Sequence, residues 1–249
     1  MKIGIVGYGI LGFAINEALK DTYETVLIDP PKGLYGSIEE CDNYILCLPT
    51  PENKDGSCDI SIVKEWLDKL RKFNVLLKST IDPAQLEELS KEYNFVYSPE
   101  FLKETSSVDD FKNQTLAIFA GNEPKSVWWW SIFDPCVKMH NVSFTSIQKA
   151  TRVKYAINTF LATKVIFFNE LREIYDDFDQ KDWEEFTSLV SLDPRIGDSH
   201  LQVPGPDGKK GFGGMCFPKD TKAFVKYAEK KGTKAKLLER VIEINKEIR

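Results

Sequence analysis

Apolar residues in the first 145 positions come in short blocks separated by stretches of helical spacing. Residues 2–7 form a β-branched run that predicts a strand. Residues 11–20 repeat apolar positions every three or four and predict a helix. A second strand is expected over 25–29. A third is expected over 44–48, apolar throughout, as in parallel strands buried on both faces. Helices over 60–72 and 83–92 alternate with strands over 75–78, 94–97, 115–120 and 137–142. This alternation implies an α/β fold built on a doubly wound parallel sheet.

The pattern changes near Ser146. Apolar residues recur at Ile147, Ala150, Val153, Ile157, Phe160, Leu161, Val165, Phe168, Leu171 and Tyr175, predicting one long helix over 146–178. About thirty residues at ~1.5 Å rise reach ~45 Å, long enough to pack against a second subunit as well as its own core. A further helix is expected over 183–190, a Gly- and Pro-rich loop over 193–214, and one or two helices over 221–249 broken near Gly232. The division into domains is therefore expected at 1–145 and 146–249. The acidic cluster from Asp176 to Glu185 reads as a solvated helix end rather than a metal site. In the triplet Trp128-Trp129-Trp130, consecutive helical positions do not share a face. One or two are expected on the sheet, with the third exposed or covered by a partner.

Net charge is -5 over 249 residues, with acids and bases mixed along the chain. That argues against nucleic acid or an anionic membrane as partner, though not against a small anionic ligand. No apolar run is long enough to span a bilayer. The opening MKIGIVGYG reads as strand and turn rather than a secretory signal, so a cytoplasmic setting is expected. The five cysteines lack C-x-x-C spacing, and His140 and His200 have no neighbouring ligand pattern, so neither a disulfide framework nor structural zinc is expected.

Two places carry candidate chemistry. Gly7-Tyr8-Gly9-Ile10-Leu11-Gly12 is a G-x-G-x-x-G between a strand and a helix, and Asp29 closes the next strand. There, glycines admit a pyrophosphate to the helix N-terminus and the carboxylate accepts from a ribose hydroxyl. Asp29 would repel a 2′-phosphate, favouring NAD, while Lys32 keeps NADP open. The second place is GFGGMCFPKD, residues 211–220. A thiol behind a glycine turn and beside Lys219 suits a nucleophile, although a cysteine buried in a tight turn fits the same residues.

Taken together, the chain resembles the UDP-glucose/GDP-mannose dehydrogenase family. GYGILG, CLPTP (47–51), KST (78–80), SPEFLKE (98–104), KYAINTFLATKVIFFNE (154–170), DPRIG (193–197) and GFGGMCFPKD follow in family order. The resemblance implies an N-terminal Rossmann domain and a helical, 6-phosphogluconate-dehydrogenase-like central domain. It implies NAD-dependent oxidation of the C6 alcohol of a nucleotide sugar, with UDP-glucose favoured, through a thiohemiacetal and a thioester on Cys216. Lys154 and Asn158 resemble the pair that stabilises oxyanions, and both match substrate-contacting positions. Thr80 and Glu104 resemble residues that position water, with Glu100 as the nearby alternative, and Asp220 resembles the aspartate that supports them. Gly7, Gly9, Ile10, Leu11, Asp29, Lys32, Thr50, Thr80, Glu104 and Lys219 match cofactor positions. Glu100, Phe101, Leu102, Arg195, Phe212 and Gly213 match substrate positions. A homodimer through the long helix is implied as well.

The match departs from the family in places. Family members usually continue into a second Rossmann-like domain that closes over the nucleotide, and the chain is expected to be a short form without it. An NAD-binding subunit without turnover, or a dehydrogenase for a different sugar, are the alternatives. The glycine usual after the ST motif is missing at Ile81, Thr105 replaces a glycine, and Thr151 stands where an acidic residue is common. PGPDGKKG lengthens the loop ahead of Cys216, where His200 reads as a loop or stacking residue.

Overall fold

A computed structural model describes residues 1–102 and 106–249, which divide into two compact units, Met1–Lys154 and Tyr155–Arg249. The sequence-based division at 145/146 precedes the long helix, whereas the break between units falls inside it.

In the first unit, β1 (Lys2–Val6), α1 (Ile10–Leu19), β2 (Glu24–Asp29), β3 (Leu34–Tyr35), β4 (Asn43–Leu46), α2 (Ser61–Lys69), β5 (Asn74–Leu77), α3 (Pro83–Glu92) and β6 (Val96–Tyr97) come first. They are followed by α4 (Ser107–Lys112), β7 (Asn113–Gln114), β8 (Ala117–Ala120), α5 (Glu123–Phe133), β9 (Lys138–Met139) and β10 (Val142–Thr145). The main sheet runs β10-β8-β6-β5-β4-β1-β2-β3. It is parallel except at β2–β3 and at the single β6–β8 pairing, Tyr97 to Ala120. The strand order reverses at β1, which pairs with β2 on one side and β4 on the other. Ligands of doubly wound sheets gather at the carboxyl ends of strands at such a point.

Side chains alternate across the sheet and fill two apolar layers. Ile3, Ile5, Ile45, Leu76 and Val96 pack with Ile15, Leu19, Phe111, Trp129 and Phe133 from α1, α4 and α5. Tyr44, Leu46, Val75 and Leu77 pack on the other face with Val63, Trp66, Leu86 and Leu89 from α2 and α3. Gly4 is required between them, because a Cβ there would lie 2.2 Å from the Tyr44 ring.

Two expectations shift. The strand expected over 137–142 splits: Lys138–Met139 pairs with β7, and the main-sheet edge strand is Val142–Thr145. Val137 is buried in the layer beneath α5 instead. Of the three tryptophans, Trp129 is fully buried and Trp128 and Trp130 are half-buried, so none is exposed. Trp130 meets Phe144 of β10 edge-on at 6.1 Å.

The long helix α6 (Ile147–Ile174) runs from the first unit into the second, which adds α7 (Gln180–Ser191), α8 (Phe217–Lys230) and α9 (Lys236–Ile248). Asp179 caps α7, with Asp182 reciprocating, so these two members of the acidic cluster are helix-capping groups. Helix α8 starts before the expected residue 221, with Pro218 in its first turn. Helix α8 ends at Gly232 in a Schellman turn: Gly232 has φ +73, Thr233 N donates to Ala228 O, and Gly232 N donates to Glu229 O. One cluster joins Ala162 and Ile166 of α6 to Phe212 and Val241, and another joins Phe168 to Trp183, Leu201 and Val203.

Candidate functional site

The turn between β1 and α1 is shaped by its glycines. Gly7 has φ +89, and a Cβ there would stand 2.5 Å from Cys47 O. A Cβ on Gly12 would stand 2.0 Å from Gly7 O, so this residue sets how closely helix and strand pack. Gly9, the residue before α1, differs: a Cβ there meets nothing within 4 Å. The open side of Gly9 is the cradle that a diphosphate needs at a helix N-terminus. Tyr8, Gly9, Ile10, Phe13, Lys32 and Ser107 line an open cavity of about 320 Å³ there. Asp29 accepts from Tyr8 N at 2.7 Å through Oδ2, and Lys32 donates to Tyr8 O at 2.6 Å. Leu11 turns inward against the core. Thr50 donates to the carbonyl of Thr80 at 2.6 Å, which joins the strand exits after β4 and β5.

A buried charge cluster forms in the same unit. Lys154 on α6 is 3% exposed and donates to Glu100 O at 2.6 Å and to Glu100 Oε1 at 3.1 Å. Its ammonium stands 5.4 Å from the Phe101 ring centre. Leu102 N donates to the other Glu100 oxygen at 3.0 Å. Burial pushes the Glu100 carboxyl up, but the Lys154 charge, the Leu102 amide, the Lys154 hydrogen bond and the Lys78 charge hold it below the ordinary glutamate value. Lys78, just past β5, is equally buried and donates to Ser98 Oγ at 3.1 Å. Burial brings its ammonium down to about 8, opposed by Cys47 and Glu100 and reinforced by Lys154. Burial pushes the Cys47 thiol up to about 12. Lys78 and Ser98 were not assigned roles from the sequence. Their signal was a charged or polar residue just beyond an apolar strand.

In the second unit, Cys216 is the exposed residue before the first turn of α8, where backbone amides favour a developing negative charge. Asp220 N donates back to Cys216 O at 2.8 Å. The Asp220 carboxylate, 1% exposed, accepts from Asn158 Nδ2 at 2.7 Å and from Lys219 Nζ at 2.8 Å. Phe212 is buried and Gly213 lies against the Arg249 guanidinium. Arg195 is 87% exposed and is gripped by its neighbour Asp193 at 2.6 Å, so its guanidinium is occupied by its own chain. Ile196 O accepts from Lys164 at 2.9 Å. Glu104 lies outside the described residues.

Residues 14–134 match the NAD binding domain of the UDP-glucose/GDP-mannose dehydrogenase family, and residues 148–247 match its central domain. The chain belongs to this family. Among relatives of this dehydrogenase family, the Bacillus subtilis protein YtcA is 32% identical over 295 residues, covering 98% of this chain and 67% of its own length. The UDP-glucose 6-dehydrogenase of Rickettsia typhi is 30% identical, covering 93% of this chain and 55% of its own. A UDP-glucose dehydrogenase from Pyrobaculum islandicum shares the fold with a TM-score of 0.79 at 23% identity, covering 98% of this chain and 68% of that one. The 3-hydroxyisobutyrate dehydrogenase of Mycobacterium tuberculosis shares it at 0.74 and 17% identity, over 99% and 92%. The chain therefore carries the NAD-binding and central domains of the family, and spans between about half and two thirds of these sugar-dehydrogenase relatives. The glycine cradle and Asp29 fit the cofactor of that domain.

Proposed function

We propose that this protein oxidises the C6 primary alcohol of a nucleotide sugar, with UDP-glucose as substrate, to the carboxylate. The observation that carries the reading is the network of buried Asn158 and Asp220 with half-buried Lys219 at the start of the helix headed by Cys216. Burying a carboxylate costs stability, and such arrangements concentrate where chemistry needs them.

Gly7, Gly9, Ile10, Asp29, Lys32, Thr50 and Thr80 would hold NAD, with Leu11 behind them. NAD would supply the hydride acceptor, one molecule for alcohol to aldehyde and a second for thiohemiacetal to thioester, with the alcohol proton passing to the water assigned to Thr80 and Glu104. The Cys216 thiolate would add to the aldehyde carbon, with the carbonyl electron pair moving onto oxygen; Lys154 and Asn158 are assigned as hydrogen-bond donors to that oxyanion. Water then adds to the thioester carbon, the C–S bond breaks, and the sulfur leaves as thiolate while the acid forms. Glu100 is placed in the role of general base for that water, with Thr80 and Glu104 orienting it. Against burial, the Lys154 charge and the Leu102 amide hold the Glu100 carboxyl below the ordinary glutamate value, which favours the carboxylate form. Asp220 keeps Asn158 oriented. Phe101, Leu102, Arg195, Phe212 and Gly213 are assigned to the sugar and diphosphate. Release of Arg195 from Asp193 would accompany substrate binding.

A homodimer through α6 is part of the proposal. Val153, Phe160, Phe167 and Ile174 are 37%, 62%, 54% and 62% exposed and recur every seven residues, one apolar stripe along the helix. That repeat is the seam along which a second copy of the same helix packs. No described helix is long and apolar enough to cross a membrane. A cytoplasmic setting is part of the proposal.

The test is NADH formation at 340 nm with NAD and a panel of UDP- and GDP-sugars, with Cys216→Ser as control. Two NADH per UDP-glucose, lost in the variant, is the expected result. No NADH from any sugar while NAD still binds overturns the proposal.

A further inference from the structure

The glycine turn ahead of Cys216 is irregular backbone inside a unit otherwise made of helices, and buried main-chain groups need partners. Those partners are side chains from two helices. Asn245 of α9 is 9% exposed and grips Phe212 at two points: Phe212 N donates to Asn245 Oδ1 at 2.7 Å, and Asn245 Nδ2 donates to Phe212 O at 3.0 Å. Gly211 N donates to Asn169 Oδ1 of α6 at 3.0 Å. Asn169 is itself oriented by donating to Val165 O at 2.8 Å. Arg249 donates to Lys210 O at 3.2 Å and Gly211 O at 3.4 Å, and pairs with Asp207 in the loop tip. From Lys210 O to Phe212 O, each consecutive main-chain donor and acceptor is thus held by a side chain.

The clamp is tight. Gly211 has φ +68, and a Cβ there would stand 2.4 Å from Asn245 Oδ1. The Phe212 side chain packs with Ala162, Ile166 and Val241, and its ring meets that of Phe217 at 6.2 Å. Phe217 is the first residue of α8, directly after Cys216. Displacement of Phe212 is therefore felt on both sides of the thiol.

We propose that Asn245 is a positioning residue for Cys216: its side-chain amide stands in for a β-strand partner and holds the glycine turn so that the sulfur is presented at the start of α8. The inference rests on Cys216 being the nucleophile. A small displacement of a reacting group costs up to about a hundredfold in rate. The last helix is therefore part of the machinery that presents the thiol, although none of its residues is assigned to substrate or cofactor.

The experiment uses the full chain with Asn245→Ala, Asn245→Asp and a control, Trp183→Phe, which disturbs the other apolar cluster of the same unit without touching the turn. Iodoacetamide alkylation of the Cys216 peptide is followed by mass spectrometry, beside melting temperature, NAD affinity and, with UDP-glucose, kcat and KM. The expected result for Asn245→Ala is a fall of about ten-fold in alkylation rate and in kcat, with NAD affinity unchanged. Asn245→Asp keeps the acceptor for Phe212 N and falls between. Trp183→Phe lowers the melting temperature and leaves the Cys216 rate where it was. An alkylation rate in Asn245→Ala that is unchanged, raised, or lowered only as much as in Trp183→Phe overturns the proposal. Should wild-type protein make no NADH from any sugar, the proposed activity fails, while alkylation still decides the role of Asn245.

Discussion

Replacing Lys78 with methionine is expected to make the protein more stable at neutral pH, by an amount that depends on pH. Lys78 is 3% exposed, and burial brings its ammonium from an ordinary 10.5 down to about 8. At ~1.36 kcal/mol per pH unit, this corresponds to about 3 kcal/mol of cost for holding the charged form inside the fold near pH 7. The folded-state value lies below the unfolded one, so the sign is the reverse of a stabilising lysine. Below about 8 both states carry the proton and the full cost is present. Between about 8 and 10.5 the unfolded chain keeps the proton while the fold releases it, so wild-type stability rises with pH. Cys47 works the other way: its thiol, held up to about 12 against an ordinary 9.0, subtracts stability as pH rises above 9. Urea denaturation of both proteins at pH 7, 8 and 9, compared as a difference, separates the two. Methionine preserves the apolar stem, although Ser98 loses its donor and Glu100 one of its two cations. The variant is expected to lead by up to ~3 kcal/mol at pH 7, and the lead to shrink by ~1 kcal/mol by pH 9. A difference that stays flat with pH, or a variant less stable throughout, refutes the reasoning. NADH turnover in the variant is expected to fall, since a charge kept inside at such a cost points to a functional demand.

The glycine turn separates binding from folding. Gly9→Ala is expected to weaken NAD binding at least about ten-fold with the melting temperature unchanged, because its Cβ faces open space. Gly12→Ala, 2.0 Å from Gly7 O, is expected to destabilise the first unit itself, and calorimetry beside NAD titration checks both. Asp220→Ala removes the carboxylate that Asn158 and Lys219 share and is expected to cost about 3 kcal/mol by urea denaturation, along with turnover. Phe160→Asp with Phe167→Asp is expected to halve the mass measured by light scattering. A wild-type monomer removes the α6 seam from the proposal.

How much was legible in advance differs from residue to residue. Period-two and period-3.6 patterns are local, so the strands at 2–6, 24–29 and 43–46, the long helix and the break at Gly232 could be read directly. The glycine motif and Asp29 could be read too, because a turn needing φ +89 at Gly7 restricts its residue. The same chain order brought Cys216 and Asp220 to one helical turn. Other features depend on elements distant in sequence. Nothing near Lys78 tells that Ser98 and Glu100 will surround it, because that follows from β5 and β6 lying side by side. Nor does Asn245 announce that it will grip Phe212, 33 residues earlier, since two helices and a turn must pack first. Arg195 reads as a ligand-holding cation from its motif, whereas its ion pair with Asp193 belongs to the folded chain. The antiparallel pairing of β6 with β8, and the register that makes Val142–Thr145 the edge strand, also follow from packing. Local patterning determined the elements and the cofactor turn. Tertiary structure decided which charges are buried together and what holds the nucleophile's loop, because burial and long-range hydrogen bonds exist only once the chain has closed on itself.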